Sequence, residues 1–330
     1  MIGTLEQAQV MLLKKNAGKR QSLKFMVTKR CNIGCEHCYE ASMNVDDGGM
    51  DRGLITMALD QINPEWTVWM QGGEPMMMPE LCLWIANECK KRAIKFALFT
   101  SAFWVRDKGK MKLVVEEMRP SIINVSINEW LMKKVPIENL NILADRVAND
   151  PDITLFVATC YGTAENFEFN GEKWVDLDRA QPRIAEQFRY KFCRIPTPFM
   201  PYRRGKNLDH RVVYFETDEI LVCRSAGYTV EMDGRIFANC PTVGFGCQFG
   251  YIQKGAHLQR IADAVHTPKL RVLGKTAGFC EACRYAGVHM MDKKWASDDY
   301  YETVDLRRVP LDKRWDNPVI QKRTSQHSRG

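Results

Sequence analysis

"CNIGCEHCYE", residues 31–40, places Cys31, Cys35 and Cys38 within eight positions, directly after the apolar run "LKFMVT" (23–28). Spacings of four and three would suit a buried stripe on one helix face. Asn32 and Gly34 inside the segment, and a strand just before it, favour a loop instead. Three clustered thiols on a loop read as ligands. A structural zinc needs a fourth donor, and His37, adjacent to Cys38, is poorly placed to be one. An iron–sulfur cube held by three thiolates leaves one iron with open coordination positions, a place for chemistry as well as for folding.

The 330-residue chain, 45% hydrophobic and 26% charged, is long enough for one large domain and a smaller one. The first twenty-one residues contain an apolar run of only four, Val10 to Leu13, far below a secretory or membrane-spanning segment. A cytoplasmic location is therefore expected, with no membrane partner. Twelve cysteines in such a chain are not read as a disulfide framework. The net charge is +7, yet residues 307–330 hold seven basic and two acidic side chains, so five of the seven charges sit in the tail. A solvated basic terminus accounts for that, and no recognition-helix pattern argues for nucleic acid.

Outward from the cysteines, strand-length runs alternate with helical periods. Strands are predicted at 23–28, 66–70, 95–100, 122–127, 153–159 and 188–192. Helices are predicted at 52–62, 79–92, 108–118, 137–148 and 177–187, with Pro182 kinking the last. Repeated strand–helix units give an α/β fold with a parallel sheet, and six of them suggest an open, partial (β/α)6 barrel with its site at the C-terminal strand ends. Four regions are expected: an N-terminal helical extension (1–22), the partial barrel (23–200), a Cys-rich module (201–290) and a basic tail (291–330). Cys82 and Cys89, seven apart on the second helix, read as core.

The CxxxCxxC at Cys31, Cys35 and Cys38, the aromatic His37 before the last cysteine, and "GGEP" at Gly72–Pro75 after the second strand together resemble the radical S-adenosylmethionine (radical SAM) enzymes. The resemblance covers about residues 20 to 200. It implies a [4Fe–4S] cluster whose unique iron chelates the methionine headgroup of SAM, reductive cleavage to a 5′-deoxyadenosyl radical, and hydrogen abstraction from substrate. It implies that Gly72 and Gly73 let backbone approach the ligand and that Glu74 faces the SAM ammonium. By position, Ser101, Ser126 and Asn128 resemble residues touching the methionine carboxylate or ribose, and His37 the residue beside adenine. An electron donor such as flavodoxin or ferredoxin is implied as a partner.

Downstream stand Cys223, Cys240, Cys247 and the "CEAC" pair Cys280 and Cys283. "VEMDGRIFANCP" reads as a hairpin with Asp-Gly at its turn. Four thiolates there would ligate one zinc or one cluster, and the sequence separates these poorly. The pattern is similar to the twitch domain, related to the larger SPASM domain, which implies a second, auxiliary [4Fe–4S] cluster on Cys223, Cys240, Cys280 and Cys283. A fully ligated auxiliary cluster would accept an electron, so an oxidoreductase is expected, and the resemblance to the twitch-domain dehydrogenases implies a small alcohol of aminocyclitol type as its substrate. A peptide substrate, a nucleotide or RNA substrate, and a zinc-binding module without catalysis are the alternatives. Glu129, Tyr161, Arg203 and Arg204 are candidate polar groups facing the pocket, by their places at strand ends or at the domain junction.

Overall fold

The computed structural model describes residues 22–38, 40, 42, 46–161, 167–169, 172–176, 187, 189–190, 193–198, 204–205, 215–222, 227–238, 248–253, 255, 258, 269–276, 279–286 and 300–311. The cysteines at 223, 240 and 247, Arg203, the N-terminal extension before Ser22 and nearly all of the expected 177–187 helix lie outside them. So do the side chains of Glu129, Tyr161 and Cys280.

Six parallel strands carry the fold: β1 (Ser22–Thr28), β2 (Thr67–Gly72), β3 (Lys95–Thr100), β4 (Ile122–Ser126), β5 (Thr154–Tyr161) and β8 (Cys193–Pro198), adjacent in that order. Each neighbouring pair is parallel. Helices fill most crossovers: α1 (Arg52–Leu59), α2 (Pro79–Lys91), α3 (Lys108–Lys112) and α5 (Glu138–Val147), with the short α4 (Glu129–Met132) after β4. α1 starts where Asp51 accepts a hydrogen bond from the Leu54 N–H, and α2 starts with Pro79 in its first turn. α3 continues as a π-helical turn, Leu113–Met118, which ends at Arg119 in the left-handed region.

Strand alternation divides the sheet into two unlike faces. Leu23, Phe25, Val27, Val68, Met70, Leu98, Ile123, Val125, Leu155 and Val157 pack with Ile55, Leu59, Leu81, Ile85, Leu140 and Leu143 of the helices in one core. Cys82 and Cys89 belong to it, both fully buried, as their helical spacing predicts. The other face carries Lys24, Trp69, Gln71, Phe99, Asn124 and Ser126, a polar and aromatic set unlike a core.

The sixth strand departs from expectation. It runs from Cys193 to Pro198 and not over 188–192. Pro196 and Pro198 conceal it in the sequence, because proline cannot donate to a ladder. They are tolerated here because β7 (Glu172–Asp176), the strand on that side, pairs only with Cys193 and Arg194. β7 forms an antiparallel hairpin with β6 (Phe167–Phe169) that the alternating pattern does not announce.

The expected Asp-Gly hairpin is present. β10 (Tyr228–Val230) and β11 (Arg235–Ala238) pair antiparallel around Asp233–Gly234, with Gly234 at a φ of 84°. β10 also pairs with β1, and β12 (Gln248–Tyr251) with β11, so the hairpin extends the main sheet. A second sheet joins β9 (Phe215–Val222), β13 (Lys269–Thr276) and β14 (Glu302–Asp305). α6 (Phe279–Ala286) packs on it through Ala282, beside Leu270, Val272, Val304 and Leu306. Residues 302–306, expected to fall in the basic tail (291–330), are partly core: Val304 and Leu306 are buried, while Thr303, Asp305 and Arg307 are exposed. Among the described residues no helix is long and apolar enough to cross a membrane.

The two faces predict opposite responses to truncation. Leu98→Ala, in the packed face, should cost about 2–5 kcal/mol in urea denaturation, and Phe99→Ala, on the other face, less than half as much. A larger loss for the phenylalanine would contradict this division of the sheet.

Candidate active site

A cavity of about 260 Å³ opens at the C-terminal ends of β1–β5. Cys31, Cys35 and Cys38 all line it, as do Gly72, Gly73 and Glu74. His37, Ser101, Ser126, Asn128 and Arg204 complete the coincidence of sequence candidates in one wall. The two motifs, more than thirty residues apart in the chain, are joined by backbone. The Gly73 N–H donates to the Thr28 carbonyl at 2.7 Å and the Glu74 N–H to the Arg30 carbonyl at 2.9 Å.

That junction explains the glycines. A Cβ on Gly72 would stand 2.2 Å from the Thr28 carbonyl oxygen, and one on Gly73 2.3 Å from that of Arg30. Gly72 also has a φ of 141°. The close approach they permit is therefore to the strand that delivers the cysteines. Asp47 secures the same turn from outside, accepting from the Thr28 hydroxyl at 2.6 Å and from the Gly49 N–H at 3.1 Å.

Glu74 is 1% exposed. Its carboxylate accepts from the Ser101 N–H (2.7 Å), the Ser101 hydroxyl (2.6 Å), the Thr100 hydroxyl (2.9 Å) and the Met76 N–H (3.2 Å). Four donors match the acceptor capacity of a carboxylate. Burial raises its pKa, opposed chiefly by the two bonds from Ser101. Trp104 completes the chain by donating its indole N–H to Thr100 at 2.8 Å.

The thiols share one environment. Burial raises the pKa of Cys31 and pushes Cys35 up to about 12, and the charges of the neighbouring cysteines act in the same direction. Three soft donors side by side suit iron–sulfur or another thiophilic metal group. No group of three His, Cys, Asp or Glu side chains fit to hold a single metal ion occurs among the described residues. Three thiols lining one cavity are the soft donor set that an iron–sulfur cluster takes.

His37 stacks on Trp130, with ring centroids 4.4 Å apart and planes at 26°. Burial, then the charge of Arg204, lowers its pKa to about 4, and its buried Nδ1 has no hydrogen-bond partner. Asn128, 3% exposed, caps α4 by accepting from the Leu131 N–H at 2.9 Å. Arg204 donates to the Ser42 carbonyl and reaches the loop at Gly34. Thr100, Trp130 and Asp47 escape sequence reasoning; only the Asp-Asp-Gly-Gly run at 46–49 signals a turn. Of the cysteines expected to hold a second cluster, Cys283 on α6 is half-buried, and Glu281, two residues before it, accepts from the Thr276 hydroxyl at 2.8 Å.

In sequence the chain matches no protein-family model and no curated protein. In structure it is similar to anSMEcpe with bound AdoMet and the Cp18Cys peptide, at 13% identity, over 93% of this chain and 99% of that one, with a TM-score of 0.49. It is also similar to BtrN in complex with AdoMet and 2-DOIA (13% identity, 73% and 81% covered, TM-score 0.40). Streptococcus suis SuiB bound to S-adenosylmethionine is a third (14% identity, 78% and 68% covered, TM-score 0.42).

Gly73→Ala should destabilise the protein by about 1–3 kcal/mol, the usual cost of overpacking. Ser101→Ala should cost about 1.5–3 kcal/mol through a lost bond to a charged acceptor. Chemical denaturation measures both, and a neutral Gly73→Ala would refute the backbone junction.

Proposed function

We propose that this protein is a radical SAM enzyme that uses a [4Fe–4S] cluster on Cys31, Cys35 and Cys38 and oxidises a small substrate with the help of an auxiliary cluster. The observation that carries this reading is the meeting of the three-thiol loop with Gly72–Glu74 in one cavity wall. When bound, the cluster and SAM supply an electron and a carbon-centred radical able to take hydrogen from an unactivated C–H bond.

The chain's own residues bind and orient. The Thr28–Gly73 and Arg30–Glu74 bonds fix the cysteine loop against β2. Glu74, held by Ser101 and Thr100, presents a buried negative charge beside the cavity, complementary to an ammonium group. His37 backed by Trp130 makes a flat wall suited to a purine, and Ser126 and Asn128, which line the same cavity, would offer hydrogen bonds to ribose hydroxyls. Neutral His37 and the apolar Leu131 limit water there. Cys223, Cys240, Cys280 and Cys283 would hold the auxiliary cluster, and the CxxC spacing puts the last two on one side of α6. A one-electron donor of flavodoxin or ferredoxin type would serve the first cluster, and a cytoplasmic location would suit its oxygen sensitivity. Glu129, Tyr161 and Arg203 remain candidate polar groups facing the pocket, by their places at strand ends or at the domain junction.

Anaerobically purified protein should contain about eight iron and eight sulfide per chain, as two cubes require. Cys35→Ala and Cys283→Ala should each lower this by about four. With SAM and a strong reductant the wild type should release 5′-deoxyadenosine, and Cys35→Ala should release none. Zinc without sulfide would overturn the assignment.

A further inference from the structure

Arg204 reaches the cysteine loop from beyond the last strand of the parallel sheet. It donates to the carbonyl of Ser42, which is buried. A Cβ built on Gly34 would stand 3.6 Å from one of its terminal nitrogens. The guanidinium therefore touches the segment on both sides of Cys35 and Cys38, where the Cys38 N–H closes a turn on the Cys35 carbonyl at 3.2 Å. Both thiols, His37 and Arg204 line the same cavity.

Holding a carbonyl does not require a fixed positive charge, and a neutral donor would serve Ser42 as well. The Arg204 Nε is moreover buried without a hydrogen-bond partner, a cost that a purely structural contact leaves unexplained. What the guanidinium adds is charge beside the thiols. Burial raises the pKa of Cys35 and lowers that of His37, and the charge of Arg204 favours the thiolate of the first and the neutral ring of the second.

Other charges stand nearby. Lys24 and the carboxylates of Glu40 and Glu74, 8% and 1% exposed, line the same cavity. Glu36 pairs with Lys133 at 3.0 Å, both more than half exposed. Lys134 also approaches Gly34, 3.9 Å from the same built Cβ, and donates to the Ile33 carbonyl at 2.6 Å, but it is exposed and water screens its charge. All of them remain when Arg204 alone is neutralised, so the change on substitution reports its charge whatever the local sum.

We propose that Arg204 is a positioning residue for the first cluster, holding the segment from Gly34 to Ser42 and raising the cluster's reduction potential through its positive charge. This rests on the radical SAM reading for the presence of that cluster. One electron from a flavodoxin- or ferredoxin-type donor makes the cluster one unit more negative, and a half-buried cation stabilises that form more than the oxidised one.

The test is an anaerobic redox titration of full-length reconstituted protein, following the reduced four-iron paramagnetic resonance signal that changes when SAM is added, with the potential measured before SAM. Arg204→Gln should shift the one-electron equilibrium about tenfold against reduction, about 59 mV lower. Arg204→Lys should keep the wild-type potential, and so should Lys134→Gln, which removes the screened charge and keeps a donor. A wild-type potential in Arg204→Gln, an equal fall in Arg204→Lys, or an equal fall in Lys134→Gln would overturn the proposal, the last because a lost loop contact would then explain both. If Arg204→Gln loads no first cluster, loading of Arg204→Lys at the wild-type potential supports the requirement for charge, and its failure to load overturns it. A wild-type protein without any SAM-responsive signal removes the radical reading and this proposal with it, whereas such a signal with a potential indifferent to Arg204 removes the proposal alone.

Discussion

Everything in the site depends on two peptide groups with no room for a side chain between them. Where β1 leaves the sheet, its carbonyls at Thr28 and Arg30 receive the N–H groups of Gly73 and Glu74. A Cβ at Gly72 or Gly73 would lie inside the contact radius of those oxygens. The contact locks the cysteine loop to the end of β2, and Glu74 then reaches across to Ser101 and Thr100 at the end of β3. Three strand ends are thereby tied into one rigid rim, made mostly of backbone and short polar side chains.

The sheet below supplies the contrast on which function rests. Its helix-side face is a continuous apolar core, and its other face mixes lysine, amides and aromatic rings. The first is packed under the helices, and several residues of the second line the cavity.

Much of this was legible in the residues. The runs at 23–28 and 95–100 coincide with strands because nothing in them opposes extended backbone, and Cys82 and Cys89 fell in the core because helical spacing put them beside Leu81 and Ile85. The three cysteines and Gly72–Glu74 were read as one site from their resemblance to radical SAM motifs following consecutive strands, and they line one cavity. Other features were hidden by their physics. β8 was concealed by prolines that only an incompletely paired edge tolerates. The role of the glycines in joining β1 to β2 depends on a tertiary contact that spacing cannot show. His37 meets Trp130 across more than ninety residues, and Glu74 meets Ser101 across 27. Asn128, read as a candidate ligand contact, is also a helix cap, and one amide can face both ways.

The central claim is that three thiolates leave one iron of the first cluster open for the methionine headgroup. The most direct measurement is pulsed electron–nuclear double resonance on the reduced protein with SAM labelled with ¹⁵N in the methionine amino group. The account predicts a resolved ¹⁵N hyperfine coupling to the cluster, lost in Cys38→Ala. A reduced four-iron signal that shows no coupling and is unchanged by SAM would contradict it.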